Sequence, residues 1–217
     1  EIFEAYREAS LRNPERYRHL NADTLADWVD ALFLSPLTLS RRAKECQTIG
    51  AGSDEEFRFL EQIIEVAQQE QRAKDTALMA SLTRWFETNP EGKAVIFYSE
   101  NPEAAHLSTK LAIQAPWQVV RHMPEVLLQT ELLDDTWQVL ICDKRGEDGL
   151  NLHGKRRLAI HYSVSRDFNR FEQRLGRFNR YCGNLHVKPV KSLVLLPERE
   201  GLTTDWLTRL DGGTGLF

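Results

Sequence analysis

Apolar positions recur at helical spacing along the first part of the chain, from Glu1 to about Asn89. Asn13-Pro14 and Ser35-Pro36 each place a capping residue before a proline at the first helical position, which is a typical helix start. Asp54 opens a further long helical pattern, and the stretch contains no apolar run of strand type. We therefore predict a helical segment over residues 1–90.

The pattern changes after Asn89-Pro90-Glu91-Gly92, a cluster of residues that breaks helices. Short continuous apolar runs, the expected strands, follow at Ala94–Tyr98, Gln118–Val120, Gln138–Cys142, Leu158–Tyr162 and Ser192–Leu196. Helical stretches separate them, near Pro102–Gln114, Pro124–Leu133 and Phe168–Tyr181. Continuous apolar strands that alternate with helices indicate a parallel sheet. The fold class predicted for residues 91–217 is therefore α/β, with a parallel sheet covered by helices on both faces.

Positive charge is concentrated in one part of this second region. The stretch from Gly154 to Lys191 contains ten lysine and arginine residues against two acidic residues, although the whole chain has a net charge of -4. A basic segment in an acidic chain points to an anionic partner, such as nucleic acid or the phosphates of a nucleotide. Most of the ten are arginines, which suit bidentate recognition of phosphate.

Several classes of protein do not fit the sequence. It contains no run of about 18 apolar residues that could cross a membrane. Its three cysteines form no CxxC pair, and no two of its six histidines have the spacing of metal ligands. We expect a cytoplasmic protein that has no membrane partner and no metal site of its own.

One candidate segment for chemistry runs from Asp143 to Leu152, directly after a predicted strand. Gly146 and Gly149 would let the backbone approach a ligand closely, and Asn151 offers a donor and an acceptor to a sugar hydroxyl. An ordinary strand-to-helix turn would explain the same glycines, so this segment alone does not establish a ligand site.

A second candidate segment is the predicted helix around Asn169–Arg180. At about 100° per residue, Gln173, Arg177 and Arg180 fall on one narrow face. The apolar residues Phe171, Leu175 and Phe178 fall on the opposite face. Gly176 would cost about 1 kcal/mol in a helix interior, which predicts close packing beside the arginines. The alternative is a solvated amphipathic helix.

These segments resemble a known family. Gln173-Arg174-Leu175-Gly176-Arg177-Phe178-Asn179-Arg180 resembles motif VI (QRxGRxxR) of superfamily 2 helicases and translocases. Asp143–Leu152 resembles their motif V, with the Gly-x-Asn-Leu ending of the Swi/Snf branch, and Lys93–Ser99 stands where motif IV belongs. Cys142 and Asn169–Gln173 are similar to the bacterial RapA-like group, and the tail Trp206–Phe217 resembles DpdE-type proteins of phage-defence islands. The resemblance implies a second RecA-like lobe over about Gly92–Pro197.

The sequence also departs from the family. Cys142-Asp143 stands where many relatives begin motif V with Ser or Thr, and Glu147 replaces a second adjacent glycine. Neither a GxxxxGK[ST] phosphate loop nor a DExx segment occurs. We therefore expect the isolated chain to be inactive, with the ATP-binding first lobe upstream in the same polypeptide.

The resemblance implies an ATP-driven translocase or helicase that acts on double-stranded DNA, with ATP and Mg²⁺ bound mainly by the first lobe. It implies that Arg177 and Arg180 are arginine fingers and that Gln173 orders them. The implied ATP-binding residues are Gly149, Asn151 and Gly176. The implied nucleic-acid contacts are Asp143, Lys144, Arg145, Lys155, Arg156, Arg157 and Arg174. The implied partners include other proteins of a defence or transcription complex.

Two other interpretations remain open. An RNA helicase lobe of the same superfamily would share the motif VI pattern, and stimulation of ATP turnover by duplex DNA or by RNA would separate the two. A degenerate, non-catalytic lobe that binds a partner through its helical segment is the second alternative. A ruined phosphate loop in the full-length protein would identify it.

Overall fold

The computed structural model describes residues 1–99, 101–122, 137–144, 146, 150, 152, 157–178, 190–197 and 201–214. The chain divides into two compact units, one formed by residues 1–76 with 196–208 and the other by residues 77–195 with 209–217. Across the described ranges, no helix combines the length and the apolar character that crossing a membrane requires.

The first unit contains helices α1 (Ile2–Arg12), α2 (Leu25–Leu34) and α3 (Pro36–Ile49), and the beginning of α4 (Asp54–Thr88). The start predicted at Ser35-Pro36 is confirmed, because the Ser35 hydroxyl accepts a hydrogen bond from the Thr38 N–H over 3.1 Å. The start predicted at Asn13-Pro14 is wrong. Asn13 ends α1, and the Arg16 N–H closes only a turn on the Asn13 carbonyl over 3.0 Å.

A buried carboxylate organises the core of this first unit. Glu56 is fully buried and accepts hydrogen bonds from the Tyr6 hydroxyl over 2.6 Å and from the His19 N–H over 2.9 Å. The Arg18 N–H donates to it as well, over 3.0 Å. Burial, together with the hydrogen bond to Glu56, raises the pKa of Tyr6, so the phenol keeps its proton and remains a donor. The start of α4 is thereby tied to the segment that follows α1.

The second unit contains a parallel sheet of five strands in the order β2-β3-β1-β4-β5. The strands are β1 (Lys93–Phe97), β2 (Val119–Arg121), β3 (Val139–Cys142), β4 (Arg157–His161) and β5 (Lys191–Val194). The second unit also contains α5 (Asn101–Gln114) and α6 (Phe168–Gly176), whereas α7 (Leu202–Thr214) includes residues of both units. Each of the predicted strands is confirmed. The helix predicted near Pro124–Leu133 lies outside the described residues.

The strand β1 shows how the sheet is covered on both faces. Ala94 and Ile96 belong to one buried cluster, which includes residues of α4 and α5. Val95 and Phe97 belong to another, which includes Phe178 beyond the end of α6. Because neighbouring residues of a strand point to opposite faces, this alternation places apolar cover on each side of the sheet. The predicted α/β class is confirmed.

Candidate functional site

The parallel sheet brings the ends of three strands to one edge. Phe97 of β1 pairs with Cys142 of β3 and with His161 of β4, so these strands end side by side. In open α/β sheets, ligands bind in the crevice beyond the carboxyl ends of the strands. The motif V-like segment begins at this edge, at Asp143.

The carboxylate of Asp143 is engaged by two neighbours. Its Oδ1 lies 2.6 Å from Nδ1 of His122, which follows β2, and it accepts a hydrogen bond from the Gly146 N–H over 2.8 Å. The side chains of His122 and Asp143 are each 13% exposed. Asp143 therefore holds the first turn of its own loop, whereas Lys144 beside it is exposed. His122 is not among the residues predicted for the site. The one feature of the sequence that points to it is its position just after a predicted strand.

Gly146 allows close packing within the chain itself. A Cβ atom at this position would lie 2.5 Å from Cys142 Sγ and 3.2 Å from His122 Cγ. A side chain there would collide with both residues, so the glycine serves the packing of the loop on β2 and β3. The predicted residues Arg145, Gly149 and Asn151 lie outside the described residues.

The ends of the motif V-like and motif VI-like segments meet. The Leu152 N–H donates to the Arg177 carbonyl over 3.2 Å. Leu150, Leu152 and Phe178 are buried in one cluster. The ring of Phe178 meets that of Phe97 in a T-shaped arrangement with centroids 6.0 Å apart. These contacts fix the backbone of Arg177 next to the end of the motif V-like segment.

Helix α6 has the two faces that the sequence predicts. The carboxylate of Asp167 caps it by accepting from the Asn169 N–H over 3.0 Å. Phe171 and Phe178 are buried, whereas Gln173 is exposed and Arg177 is half-buried. Within the described part of the chain, no side-chain hydrogen bond or ion pair of Gln173 or Arg177 is found. Arg180 lies outside the described residues.

Gly176 does not pack against the rest of the chain as expected. Apart from its chain neighbours and the backbone of its own helix, no atom of the described residues lies within 4 Å of the position that its Cβ would occupy. Gly176 is also the last residue of α6, where the cost of a glycine in a helix interior does not apply. The described part of the chain therefore does not supply the close packing predicted beside the arginines. The open space lies beside Arg177.

Arg174 is the largest departure from expectation. It is 0% exposed, and its Nη1 donates to the Ser163 carbonyl over 3.0 Å. Its guanidinium lies over the rings of Phe97 and Phe171, at 5.2 and 5.7 Å from their centroids. A side chain in this position cannot reach nucleic acid, so the predicted contact is wrong. Residues at i and i+3 lie on the same side of a helix, so the position of Arg174 three residues after the apolar Phe171 already indicates burial.

Arg157 lies at the other edge of the sheet. It is the first residue of β4 and pairs with Lys93 at the start of β1. Both cations lie over the ring of Trp137, with the Lys93 Nζ at 4.4 Å and the Arg157 Cζ at 5.4 Å from the centroid. Arg157 is therefore not brought together with Lys144, and its guanidinium packs on an aromatic ring. Lys155 and Arg156 lie outside the described residues.

Two hydrogen-bond donor groups lie near the C-terminal end of α6. Arg177 and Gln173 offer a guanidinium and an amide beside the open space at Gly176, and both groups can donate to phosphate oxygens. In the ranges that the structure describes, no group of three histidine, cysteine or acidic residues could hold a metal ion.

No protein-family model matches the chain, and no curated protein matches it. The helicase domain of Pyrococcus furiosus Hef is similar in structure, with a TM-score of 0.53 and 19% sequence identity. That likeness covers 82% of this chain and 39% of the Hef chain, so this chain spans well under half of its length.

Two further solved structures match with lower scores. They are the C-terminal part of the Fun30 ATPase domain and the C-terminal domain of the DEAD-box protein Dbp5. The first has a TM-score of 0.43 and 17% identity, over 89% of this chain and 67% of that chain. The second has a TM-score of 0.43 and 19% identity, over 57% of this chain and 71% of that chain. The likeness to the Hef helicase domain shows the fold: a RecA-like α/β sheet with a helical N-terminal segment.

Proposed function

We propose that this chain is the second motor lobe of an ATP-dependent superfamily 2 translocase or helicase that acts on double-stranded DNA. The hydrogen bond from the Leu152 N–H to the Arg177 carbonyl carries the proposal, because it joins the two segments that resemble motifs V and VI. The RecA-like fold supports the same interpretation. The first lobe, with the phosphate loop, is the proposed partner within one polypeptide.

Arg177 acts as an arginine finger in this proposal. Arg177 directly follows α6 and is half-buried, and its planar guanidinium can donate two parallel hydrogen bonds to phosphoryl oxygens and stabilise the charge that develops there. Gln173 lies one helical turn earlier on the same face and orders Arg177 and Arg180. ATP supplies the γ-phosphoryl group, and Mg²⁺ neutralises part of its charge, when both are bound by the first lobe. Gly149, Asn151 and Gly176 complete the ATP-binding residues of this lobe.

Lys144 is the proposed nucleic-acid contact with the best support. It is exposed at the carboxyl edge of the sheet, directly after Asp143, and a lysine there can bind a backbone phosphate. Arg145, Lys155 and Arg156 stay proposed contacts. Asp143 contributes by holding the loop, whereas Arg174 is buried and the guanidinium of Arg157 lies over the ring of Trp137.

The finer assignments rest on sequence resemblance. Cys142 and the Trp206–Phe217 tail support a Swi/Snf-type protein of the RapA-like group, related to DpdE-type defence proteins. Other proteins of a defence or transcription complex are the proposed partners, and the cytoplasm is the proposed location.

Steady-state ATP turnover of the full-length protein tests the proposal. We expect turnover to rise with duplex DNA and to rise much less with RNA of the same length. Arg177→Ala should reduce turnover on the order of 10³-fold, as the loss of an arginine finger does. Arg177→Lys should not restore it, because an ammonium group cannot replace the bidentate fork.

Arg84→Ala is the matched control, since Arg84 is an exposed arginine on a helix of the same unit. Its turnover should equal that of the unmodified protein. Stimulation by RNA alone would favour the RNA helicase interpretation. Normal turnover of Arg177→Ala would exclude the arginine-finger mechanism, and no turnover under any condition would favour a non-catalytic lobe.

A further inference from the structure

Arg174 is the centre of a buried hydrogen-bond network in the second unit. Its Nη1 donates to the Ser163 carbonyl over 3.0 Å and lies 3.3 Å from Nδ1 of His161. The rings of Phe97 and Phe171 pack on the guanidinium. A buried charge is costly to separate from its partners, so the contacts of Nη1 and of the two rings constrain the position of Arg174 strongly.

The contact with Arg174 fixes the protonation of His161. A guanidinium only donates, so Nδ1 of His161 must accept. Burial, together with the charge of Arg174, lowers the pKa of His161 well below its usual value, and the imidazole is therefore neutral. Its remaining proton is on Nε2, which donates to the Ser192 hydroxyl over 3.0 Å. This branch of the network joins α6 to β4 and β5.

A second branch runs from Ser163 to the start of α5. The Ser163 hydroxyl donates to Oε2 of Glu103 over 2.5 Å and accepts from the Ser99 N–H over 3.0 Å. Glu103 and Ser163 are both buried. Arg174 and Glu103 thus act on opposite ends of the same serine, one on its carbonyl and the other on its hydroxyl. The ends of β1 and β4 and the first turn of α5 belong to one network with α6.

We infer that Arg174 is a positioning residue, whose buried guanidinium fixes α6 against the carboxyl edge of the sheet. Gln173 precedes it directly and Arg177 follows it by three residues, so any rotation or shift of the helix at Arg174 moves both groups. A displacement of about 1 Å in a group that meets a transition state can cost two orders of magnitude in rate. The link to catalysis rests on the proposed function, whereas the anchoring of α6 does not.

The geometry requires arginine rather than lysine. The guanidinium is planar, so it can lie between two aromatic rings while its N–H groups reach acceptors on the sheet. An ammonium group could replace one donor but not the flat contact with the rings of Phe97 and Phe171. We therefore expect Arg174→Lys to lose most of the anchoring even though it keeps the charge.

Two readouts on the full-length protein test the inference, at a temperature where every variant is folded. The first is hydrogen exchange of the backbone amides of residues 171–178, and the second is kcat and KM for ATP. Arg174→Met and Arg174→Lys should speed exchange in α6 by at least about tenfold and lower kcat by at least about tenfold. KM should change by less than about threefold, because the misplaced groups act on the transition state.

Leu82→Ala is the matched control, because Leu82 is buried in α4 in a different core cluster of the same unit. It should lower the melting temperature without faster exchange in α6 and without a loss of kcat. If Arg174→Met does not fold, Ser192→Ala takes its place, since it removes only the outer partner of His161. Like the Arg174 variants, it should speed exchange in α6 and lower kcat, each by about two- to fivefold.

Unchanged exchange in α6 of the variants that fold would overturn the anchoring. Faster exchange with a normal kcat would overturn the positioning role, and a drop in kcat equal to that of Leu82→Ala would do the same. If Arg177→Ala keeps full turnover, the proposed function fails instead. The exchange data would still decide whether Arg174 anchors α6.

Discussion

Asp143 Oδ1 lies 2.6 Å from His122 Nδ1, and this contact joins the residues that directly follow two neighbouring strands of the sheet. The same oxygen accepts from the Gly146 N–H, so one carboxylate connects two strand ends and the first turn of the motif V-like segment. Asp143 is among the residues predicted to contact nucleic acid, but its carboxylate would repel phosphate. Its hydrogen bonds give it a structural function instead.

We predict that Asp143→Ala lowers the free energy of unfolding by about 1–3 kcal/mol, since it leaves the Gly146 N–H and His122 without their acceptor. Asp143→Asn should lose less free energy of unfolding, because the amide oxygen can still accept the hydrogen bond from the Gly146 N–H. Lys144→Ala, the exposed neighbour, should lose less than about 0.5 kcal/mol. Urea unfolding of the three variants measures these differences. Equal losses for Asp143→Ala and Lys144→Ala would contradict the structural function.

The elements of the second unit could be predicted from the sequence because their signals are local. Each strand is a short continuous apolar run, and the apolar side of α6 follows from the spacing of Phe171 and Phe178. The contacts of Asp143 and Arg174 could not be predicted in the same way. They depend on the strand order β2-β3-β1-β4-β5, which places residues far apart in sequence side by side.

Charge was the least reliable sequence signal. The arginines between Gly154 and Lys191 predict a basic surface, yet Arg174 is buried and Arg157 packs on Trp137. An arginine between two aromatic side chains can enter a core, because its flat guanidinium stacks on rings and its N–H groups bind carbonyls. Sequence composition does not distinguish such a residue from one that faces solvent.

The pH dependence of stability should report the buried imidazole of His161. Its pKa in the folded chain is well below the value of about 6.5 in an unfolded chain, because of burial and the charge of Arg174. Below about pH 6.5 the unfolded state binds a proton that the folded state does not. The free energy of unfolding should therefore fall as the pH decreases, by up to about 1.4 kcal/mol per pH unit.

His161→Asn removes this titration while it keeps an oxygen that can accept from Arg174. The variant should be less stable at pH 7. Between pH 6.5 and pH 5, however, its free energy of unfolding should change less with pH than that of the unmodified chain. Ser192→Ala is the control, because it removes the hydrogen-bond partner of Nε2 and keeps the imidazole. Parallel curves for the unmodified chain and His161→Asn would show that His161 binds a proton as readily in the folded state as in the unfolded state.

The salt dependence of duplex DNA binding should separate the two edges of the sheet. Lys144→Gln in the full-length protein should reduce the slope of log K against log salt by about 0.9, the value for one lost phosphate contact. Arg157→Gln should leave the slope unchanged and cost about 0.5–1 kcal/mol of stability, because it removes a cation–π contact with Trp137. A reduced slope for Arg157→Gln alone would place the DNA at the amino edge of the sheet.

Phe178 and Arg177 are neighbours with opposite predicted effects. Phe178 is buried against Phe97, and Phe178→Ala should cost roughly 3–5 kcal/mol of stability. Arg177→Ala should cost less than about 0.5 kcal/mol, because no side-chain partner of Arg177 is found among the described residues. The hydrogen bond between Arg177 and Leu152 uses a backbone carbonyl, so either substitution retains it.

Thermal melting and ATP turnover of both variants in the full-length protein test this pair. At a temperature where both are folded, Phe178→Ala should retain measurable turnover, and Arg177→Ala should lose nearly all of it. Phe178→Leu is the conservative control, since it keeps most of the buried apolar volume and should melt between Phe178→Ala and the unmodified protein. If Arg177→Ala melts as early as Phe178→Ala, then Arg177 is a packing residue and its half-buried side chain does not serve a nucleotide.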